Sequence, residues 1–145
     1  MKKIVRIYVD LDGVLCDYWG KFRELQNDFI RLPQTTYGFY TSLSPILYAI
    51  DAFKWLWEHF EVFILTRPSY QNPMCYTEKR VWVENHLGIE AAKNLIISYD
   101  KTLFIGDCLI DDTQCDGFQG EMILFGSDKF NNWTKVITHL SQKYL

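Results

Sequence analysis

The sequence predicts an α/β fold: a three-layer, Rossmann-like sandwich on a mostly parallel five-stranded sheet, with a small helical insert. Three observations predict it. Short apolar runs alternate with longer amphipathic stretches along the chain, the pattern of strand–helix repeats. Most short runs are continuously apolar, as strands of a parallel sheet covered on both faces must be. Three of them end in polar residues, at Asp10-Leu11-Asp12, at Thr66-Arg67 and at Gly106-Asp107 through Asp111-Asp112. Ligands of such folds bind outside the carboxyl ends of the strands, so these residues share the edge where chemistry is expected.

Ile4 to Val9 is the first strand. Asp17 then caps a helix whose apolar face, Tyr18, Phe22, Leu25, Phe29 and Leu32, recurs at helical spacing until Pro33 stops it. Gln34 to Leu43 reads as a loop. Ser44 and Pro45 form a cap-and-first-turn pair for a second helix, running to about His59 and burying Ile46, Ala49, Ile50, Phe53, Leu56 and Trp57. Glu61 to Leu65 is a strand and Ser69 to Cys75 a loop. Thr77 caps a third helix, which Gly88 ends. Leu95-Ile96-Ile97, Leu103-Phe104-Ile105 and Met122 to Phe125 complete the strands. Asn131 or Asn132 caps the last helix, whose core face is Trp133, Val136 or Ile137, Leu140 and Tyr144.

A chain of 145 residues fits one domain, 1–145. A net charge of −3 argues against a general nucleic-acid surface but allows a small anionic substrate held by a few local cations. No apolar run approaches the roughly 18 residues of a membrane span. Met1-Lys2-Lys3 resembles the start of a signal peptide, but the apolar stretch after it is short and meets Asp10. Cys16, Cys75, Cys108 and Cys115 form no CxxC pair and no zinc spacing. They read as small buried hydrophobes in a reducing, cytoplasmic compartment, with Cys75 alone, in a loop, as a candidate reactive thiol.

Asp10 and Asp12, two apart, leave a strand on the same side. Left alone they repel, and a divalent cation removes the conflict. Gly13 permits a tight turn and close approach to the backbone. Taken alone, Asp-x-Asp is more often a solvated turn; the later polar strand ends favour a site.

Together these stretches resemble the haloacid dehalogenase superfamily of phosphatases. Asp10-Leu11-Asp12-Gly13-Val14 resembles its first motif, Thr66 after Ile64-Leu65 the second, Lys101 the third, and Gly106-Asp107 with Asp111-Asp112 the fourth. The neighbourhoods Asp12 to Tyr18, Tyr76 to Glu84, Asp100-Lys101-Thr102 and Leu109 to Asp112 are similar to those of the 5'(3')-deoxyribonucleotidases. The resemblance implies Asp10 as nucleophile, Asp12 as general acid and base, and Mg²⁺ held by Asp10, the Asp12 carbonyl and Asp112. It implies that Thr66, the backbone at Arg67 and Lys101 bind phosphate, and that Asp107 and Asp111 orient the metal's surroundings. Residue by residue, other roles stay open. Thr66 alone would read as a turn cap, and Lys79 competes with Lys101 for phosphate. Arg67 touches phosphate, substrate or water; Asp111-Asp112 also suits a helix N-terminus.

In that superfamily the insert after the first motif is a cap. Here it spans only residues 16–43, yet it carries Tyr18, Trp19, Phe22, Tyr37, Phe39 and Tyr40. Tyr18 matches a position where the relatives place an aromatic against the base. The implied substrate is a small phosphate ester, a nucleoside monophosphate, with no stable nucleic-acid partner and no membrane. Alternatives are a sugar phosphate, a polynucleotide 3' end, or a catalytically silent binding protein.

Overall fold

A computed structural model describes residues 3–145. Met1 and Lys2, part of the charged start weighed above as a leader, lie outside the described residues. Strands β1 (Arg6–Val9), β2 (Glu61–Thr66), β3 (Leu95–Ile97), β4 (Cys108–Asp111) and β5 (Glu121–Leu124) form one sheet in the order β3-β2-β1-β4-β5. Every neighbouring pair is parallel. The chain winds from β1 outward through β2 to β3, then returns to build β4 and β5 on the other side. Asp10 and Asp111 therefore leave adjacent strands at the reversal point, where open α/β sheets form their ligand crevice.

Helices α1 (Tyr18–Leu25), α2 (Ala49–His59), α3 (Cys75–Leu87), α4 (Ile89–Lys93) and α5 (Trp133–Tyr144) accompany the sheet. One sheet face carries Ile7, Val9, Val62, Ile64, Ile110 and Ile123, and these pack with Phe53 and Leu56 of α2, Trp82 and Val83 of α3, and Trp133, Val136 and Leu140 of α5. The other face carries Tyr8, Leu65 and Leu109 and meets Phe104, Cys115 and Phe118. The third layer is thus made of connecting segments, not helices. The β4-to-β5 step runs opposite to β1-to-β2-to-β3, so right-handed connection puts it on the opposite face. Only residues 112–120 are available there, too few for a helix and two turns.

Several local expectations are corrected. α1 stops at Leu25 instead of continuing to Leu32. The Asn27 carboxamide accepts the N–H groups of Phe29 and Ile30 at 2.8 Å each, offering the backbone an alternative to the helix, and Phe29 is left 96% exposed. α2 starts at Ala49, not at Ser44-Pro45. Residues 44–46 instead pair with the loop after β1: the Asp17 N–H donates to the Ser44 carbonyl at 2.8 Å, and the Ile46 N–H to the Leu15 carbonyl at 2.9 Å. Long-range pairing overrides the local start signal. Trp57 lies at the surface, and Ala52 shares the buried face with Ala49, Phe53 and Leu56. α3 starts at Cys75, so Thr77 lies inside it and caps nothing, whereas Gly88, at φ 94°, ends it as expected. Asp17 and Asn132 cap as expected, accepting the N–H groups of Gly20 and Lys135.

The largest correction concerns Leu103-Phe104-Ile105. It is not a strand: Leu103 and Ile105 are exposed, and only Phe104 turns inward, edge-on to Tyr8. The strand begins at Cys108, which pairs with Ile7, and its carboxyl end is Asp111.

Candidate active site

β1 delivers Asp10 to the carboxyl edge, where its N–H donates to the Ile110 carbonyl at 2.8 Å. The chain then wraps tightly, with the N–H groups of Leu15 and Cys16 both donating to the Leu11 carbonyl. Gly13 makes this possible. It sits at φ 80°, and a Cβ there would lie 2.0 Å from a carboxylate oxygen of Asp112. α5 braces the same loop, because the Trp133 indole N–H donates to the Val14 carbonyl at 3.0 Å. The result is a cleft of about 370 Å³ lined by Asp10, Asp12, Thr66, Arg67, Lys101, Asp111 and Asp112, with Tyr18 on the insert side.

Two buried lysines divide the acids between them. Lys101 Nζ donates to Asp10 Oδ1 at 2.9 Å and to Asp111 Oδ2 at 2.6 Å. Lys79 Nζ donates to Asp12 Oδ2 and Thr66 Oγ1, both at 2.7 Å, and to the Arg67 carbonyl at 2.6 Å. Lys101 lines the cleft. Lys79 is 1% exposed and fastens Asp12 and Thr66 to the start of the loop after β2. Its signal was present in the sequence: Cys75, Lys79, Trp82 and Val83 share one helical face, so Lys79 occupies a core position and needs an anionic partner.

Four carboxylates, Asp10, Asp12, Asp111 and Asp112, thus meet two ammonium groups. Burial pushes the Asp10 carboxyl well above the ordinary range; Lys101 pulls it back, and the neighbouring acids push it further up. Burial and then Asp111 raise Asp112 in the same way. Burial alone would lower the Lys101 ammonium, but Asp10 and Asp111 outweigh it and hold its pKa above the ordinary value. One carboxylate oxygen from each of Asp10, Asp111 and Asp112 lies within 4.8 Å of the others. Both Asp111 oxygens accept at short distance, from Lys101 at 2.6 Å and the Thr113 N–H at 3.0 Å, whereas Lys101 takes one Asp10 oxygen and Asp112 accepts only at 3.3 Å, from Trp19 and the Thr113 hydroxyl. A crowded, oxygen-only, net-acidic set of this kind fits a hard divalent cation.

The sequence-derived site residues converge with one exception. Asp10, Asp12, Tyr18, Thr66, Arg67, Lys101 and Asp112 all line one cleft. Asp107 does not. It sits before β4, at the amino edge of the sheet, where it accepts the Arg6 N–H at 2.9 Å and pairs with Lys3. Asp111 lies four positions further along the strand, roughly 13 Å away at 3.3 Å per residue. The expectation that it orients a metal is corrected. Cys75 is corrected too: it is fully buried, and burial raises its thiol pKa, so it is no exposed nucleophile. Tyr18 is half-buried, stacked on Phe22 and edge-on to Trp19 and Phe39. Burial and then Asp12 push its phenol up to about 12. The Arg67 side chain is exposed at the cleft mouth while its carbonyl points inward to Lys79. Sequence reasoning missed the role of Trp19, whose indole N–H reaches Asp112 Oδ2 at 3.3 Å.

Comparison with known proteins follows the same line. Residues 29–140 match the family described as "5' nucleotidase, deoxy (Pyrimidine), cytosolic type C protein". A Vibrio phage KVP40 protein named "Putative 5'(3')-deoxyribonucleotidase" is 37% identical over 144 residues, covering 94% of this chain and 85% of its own. The human cytosolic-type 5'(3')-deoxyribonucleotidase is 32% identical over 145 residues, covering 77% of this chain and 72% of its own. The match spans most of the sheet and both buried lysines, and this chain belongs to the 5'(3')-deoxyribonucleotidase family.

Proposed function

We propose that this chain is a Mg²⁺-dependent phosphomonoesterase that releases phosphate from nucleoside monophosphates through an aspartyl-phosphate on Asp10. The observation that carries the proposal is the meeting of Asp10, Asp12, Thr66 and Lys101 in one cleft at the sheet reversal.

In the first step an Asp10 carboxylate oxygen attacks phosphorus as the bond to the ester oxygen breaks. Asp12, two residues on and fastened by Lys79, gives that leaving oxygen a proton. In the second step Asp12 takes a proton from water, which attacks phosphorus and frees Asp10 and inorganic phosphate. Lys101 and Thr66 stand where they can donate to phosphoryl oxygens as charge redistributes, together with the backbone N–H at Arg67. Lys79 is a positioning residue, since it orients Asp12 and Thr66 without lining the cleft. Asp10, Asp112 and the Asp12 carbonyl would hold Mg²⁺, which when bound neutralises phosphate charge and relieves the crowded carboxylates. Residues 16–43 serve as a reduced cap, with Tyr18 on its cleft side.

The test is a phosphate-release panel of deoxynucleoside and nucleoside monophosphates, sugar phosphates, 3'-phosphorylated oligonucleotides and p-nitrophenyl phosphate, each with Mg²⁺ and with EDTA. Mg²⁺-dependent release led by nucleotides is expected. Full activity in EDTA overturns the metal assignment, and a lead by sugar phosphates or oligonucleotides overturns the substrate class.

A further inference from the structure

We propose that the nucleobase is read by a subsite formed between Gln34 of the insert and an aromatic wall, Tyr70 and Tyr99, on the body. This rests on the reading of the cleft as a nucleotide site and names the residues that would set its base selectivity.

The first observation is an unpaired atom. Gln34 lines the cleft. Its Oε1 is the buried side-chain nitrogen or oxygen, among the described residues, that has no hydrogen-bond partner. Buried amide oxygens are rarely left so, because an unmade hydrogen bond costs more than a made one gains. The residue itself is firmly placed. It lies in the 3₁₀ turn Pro33–Thr35, and its carbonyl accepts from the fully buried Asn72 carboxamide at 3.0 Å. A fixed backbone that holds a buried, unpartnered amide oxygen in the wall of a cleft is what a ligand-reading residue presents. A primary amide offers an acceptor and a donor side by side, and every nucleobase edge carries a complementary pair.

The second observation is independent. Tyr70 and Tyr99 line the same cleft and stand 73% and 61% exposed. They come from different loops, after β2 and after β3, yet meet edge to face with ring centroids 6.4 Å apart. Both loops are pinned. The Asn72 N–H closes the turn holding Tyr70 by donating to the Ser69 carbonyl at 3.0 Å. The Asp100 carboxylate accepts the Thr102 N–H and hydroxyl just after Tyr99. Lys101, which holds Asp10, is two residues from Tyr99, so the wall is tied to the phosphate end of the cleft. Exposed rings on fixed turns give a base a stacking platform at little entropic cost. Asn72 links the two halves, because it holds Gln34 and also closes the Tyr70 turn.

The test compares kcat/KM for deoxynucleoside 5'-monophosphates with that for 2-deoxyribose 5-phosphate, which has sugar and phosphate but no base. In Tyr70→Ala/Tyr99→Ala the ratio should fall roughly tenfold or more. In Gln34→Ala it should fall roughly three- to tenfold, unequally among the four bases. Binding of free nucleosides, followed by saturation-transfer NMR, should weaken in both variants. An unchanged ratio with unchanged nucleoside binding overturns the subsite. A parallel fall for 2-deoxyribose 5-phosphate assigns the residues to the sugar or to packing, and also overturns it. Nucleoside binding that weakens in the variants of a chain hydrolysing no ester would uphold the subsite while the proposed reaction failed. Circular dichroism and Gln34→Glu, which keeps the size but places a charge against the base, guard against a folding artefact.

Discussion

The two edges of the sheet use the same residue types in opposite ways. At the amino edge Asp107 and Glu61 are partly exposed, and each has its own cation, Lys3 and Arg6 respectively. At the carboxyl edge four carboxylates share two buried lysines, and burial pushes Asp10 and Asp112 upward in pKa. The amino edge is electrostatically settled and the carboxyl edge is not. Unsettled charge has a thermodynamic cost, and such clusters concentrate at functional sites. The comparison therefore separates acids that are each paired at the amino edge from acids crowded in the cleft where the reaction is proposed.

The largest effect should come from moving one substitution between the two edges. Asp10→Asn removes the proposed nucleophile and should lower turnover by roughly 10⁴ or more. Asp107→Asn, on the other edge, should leave turnover near wild type. Phosphate release on a nucleotide reads both, and comparable losses in the two variants would erase the distinction. Asp12→Asn should be severe on nucleotides and milder on p-nitrophenyl phosphate, whose leaving group needs little protonation.

The next effect concerns stability. Lys79→Met strands Asp12 and unties Thr66 and the Arg67 carbonyl. Breaking a buried pair by removing one partner costs about 3–5 kcal/mol. Arg6→Met at the amino edge removes a partly exposed pair with Glu61 and should cost about 1 kcal/mol or less. Urea denaturation measures both, and equal costs would place Lys79 among surface lysines.

Metal addition sharpens the comparison further. Mg²⁺ at about 100 times its dissociation constant should stabilise the chain by about 2.7 kcal/mol. Thermal melts with and without Mg²⁺ should show that gain in the wild type and in Asp107→Asn but lose it in Asp112→Asn. Retention of the gain in Asp112→Asn would move the metal off this edge.

The sheet and most of the residues that line the cleft were legible because their signals are local. An apolar run ending in Asp10-Leu11-Asp12 fixes both a strand and the direction of its acids, and Thr66 follows the same logic, whereas Asp112 was placed only by its likeness to the fourth motif, because the strand before it, Cys108–Asp111, was missed. The failures arose where long-range contacts decide. Ser44-Pro45 carries a helix-start signal, but Ser44 and Ile46 are taken by backbone pairing with Asp17 and Leu15. Leu103-Phe104-Ile105 has strand composition, but only Phe104 finds a partner under Tyr8. That misplaced strand carried Asp107 to the wrong edge. Gln34, Tyr70 and Tyr99 gave no signal, because ordinary loop residues become a set only after folding.

The smallest effect is a pH dependence of opposite sign at the two edges. The Lys3 ammonium, then the Arg6 N–H, hold the Asp107 carboxyl below the usual carboxylate range. A group depressed on folding stabilises the native state above its unfolded pKa, about 3.9 for aspartate, and that contribution disappears as pH falls through the lower folded value. Asp107 is partly exposed and its Lys3 partner is at the surface, so Asp107→Asn should cost only about 1 kcal/mol or less at neutral pH. The deficit should close below about pH 4. Asp10 runs the other way, because its carboxyl is raised on folding. Its charge opposes folding at high pH, and acidification through the raised folded value removes the penalty. Metal-free Asp10→Asn should therefore be more stable than the wild type at neutral pH, with the advantage shrinking as the medium is acidified. Urea midpoints for both variants, taken from pH 7 to pH 3.5 in EDTA, read the two slopes. If the Asp10→Asn difference has the sign of the Asp107→Asn difference, Asp10 is a stabilising acid like those at the amino edge, and the contrast between the edges fails.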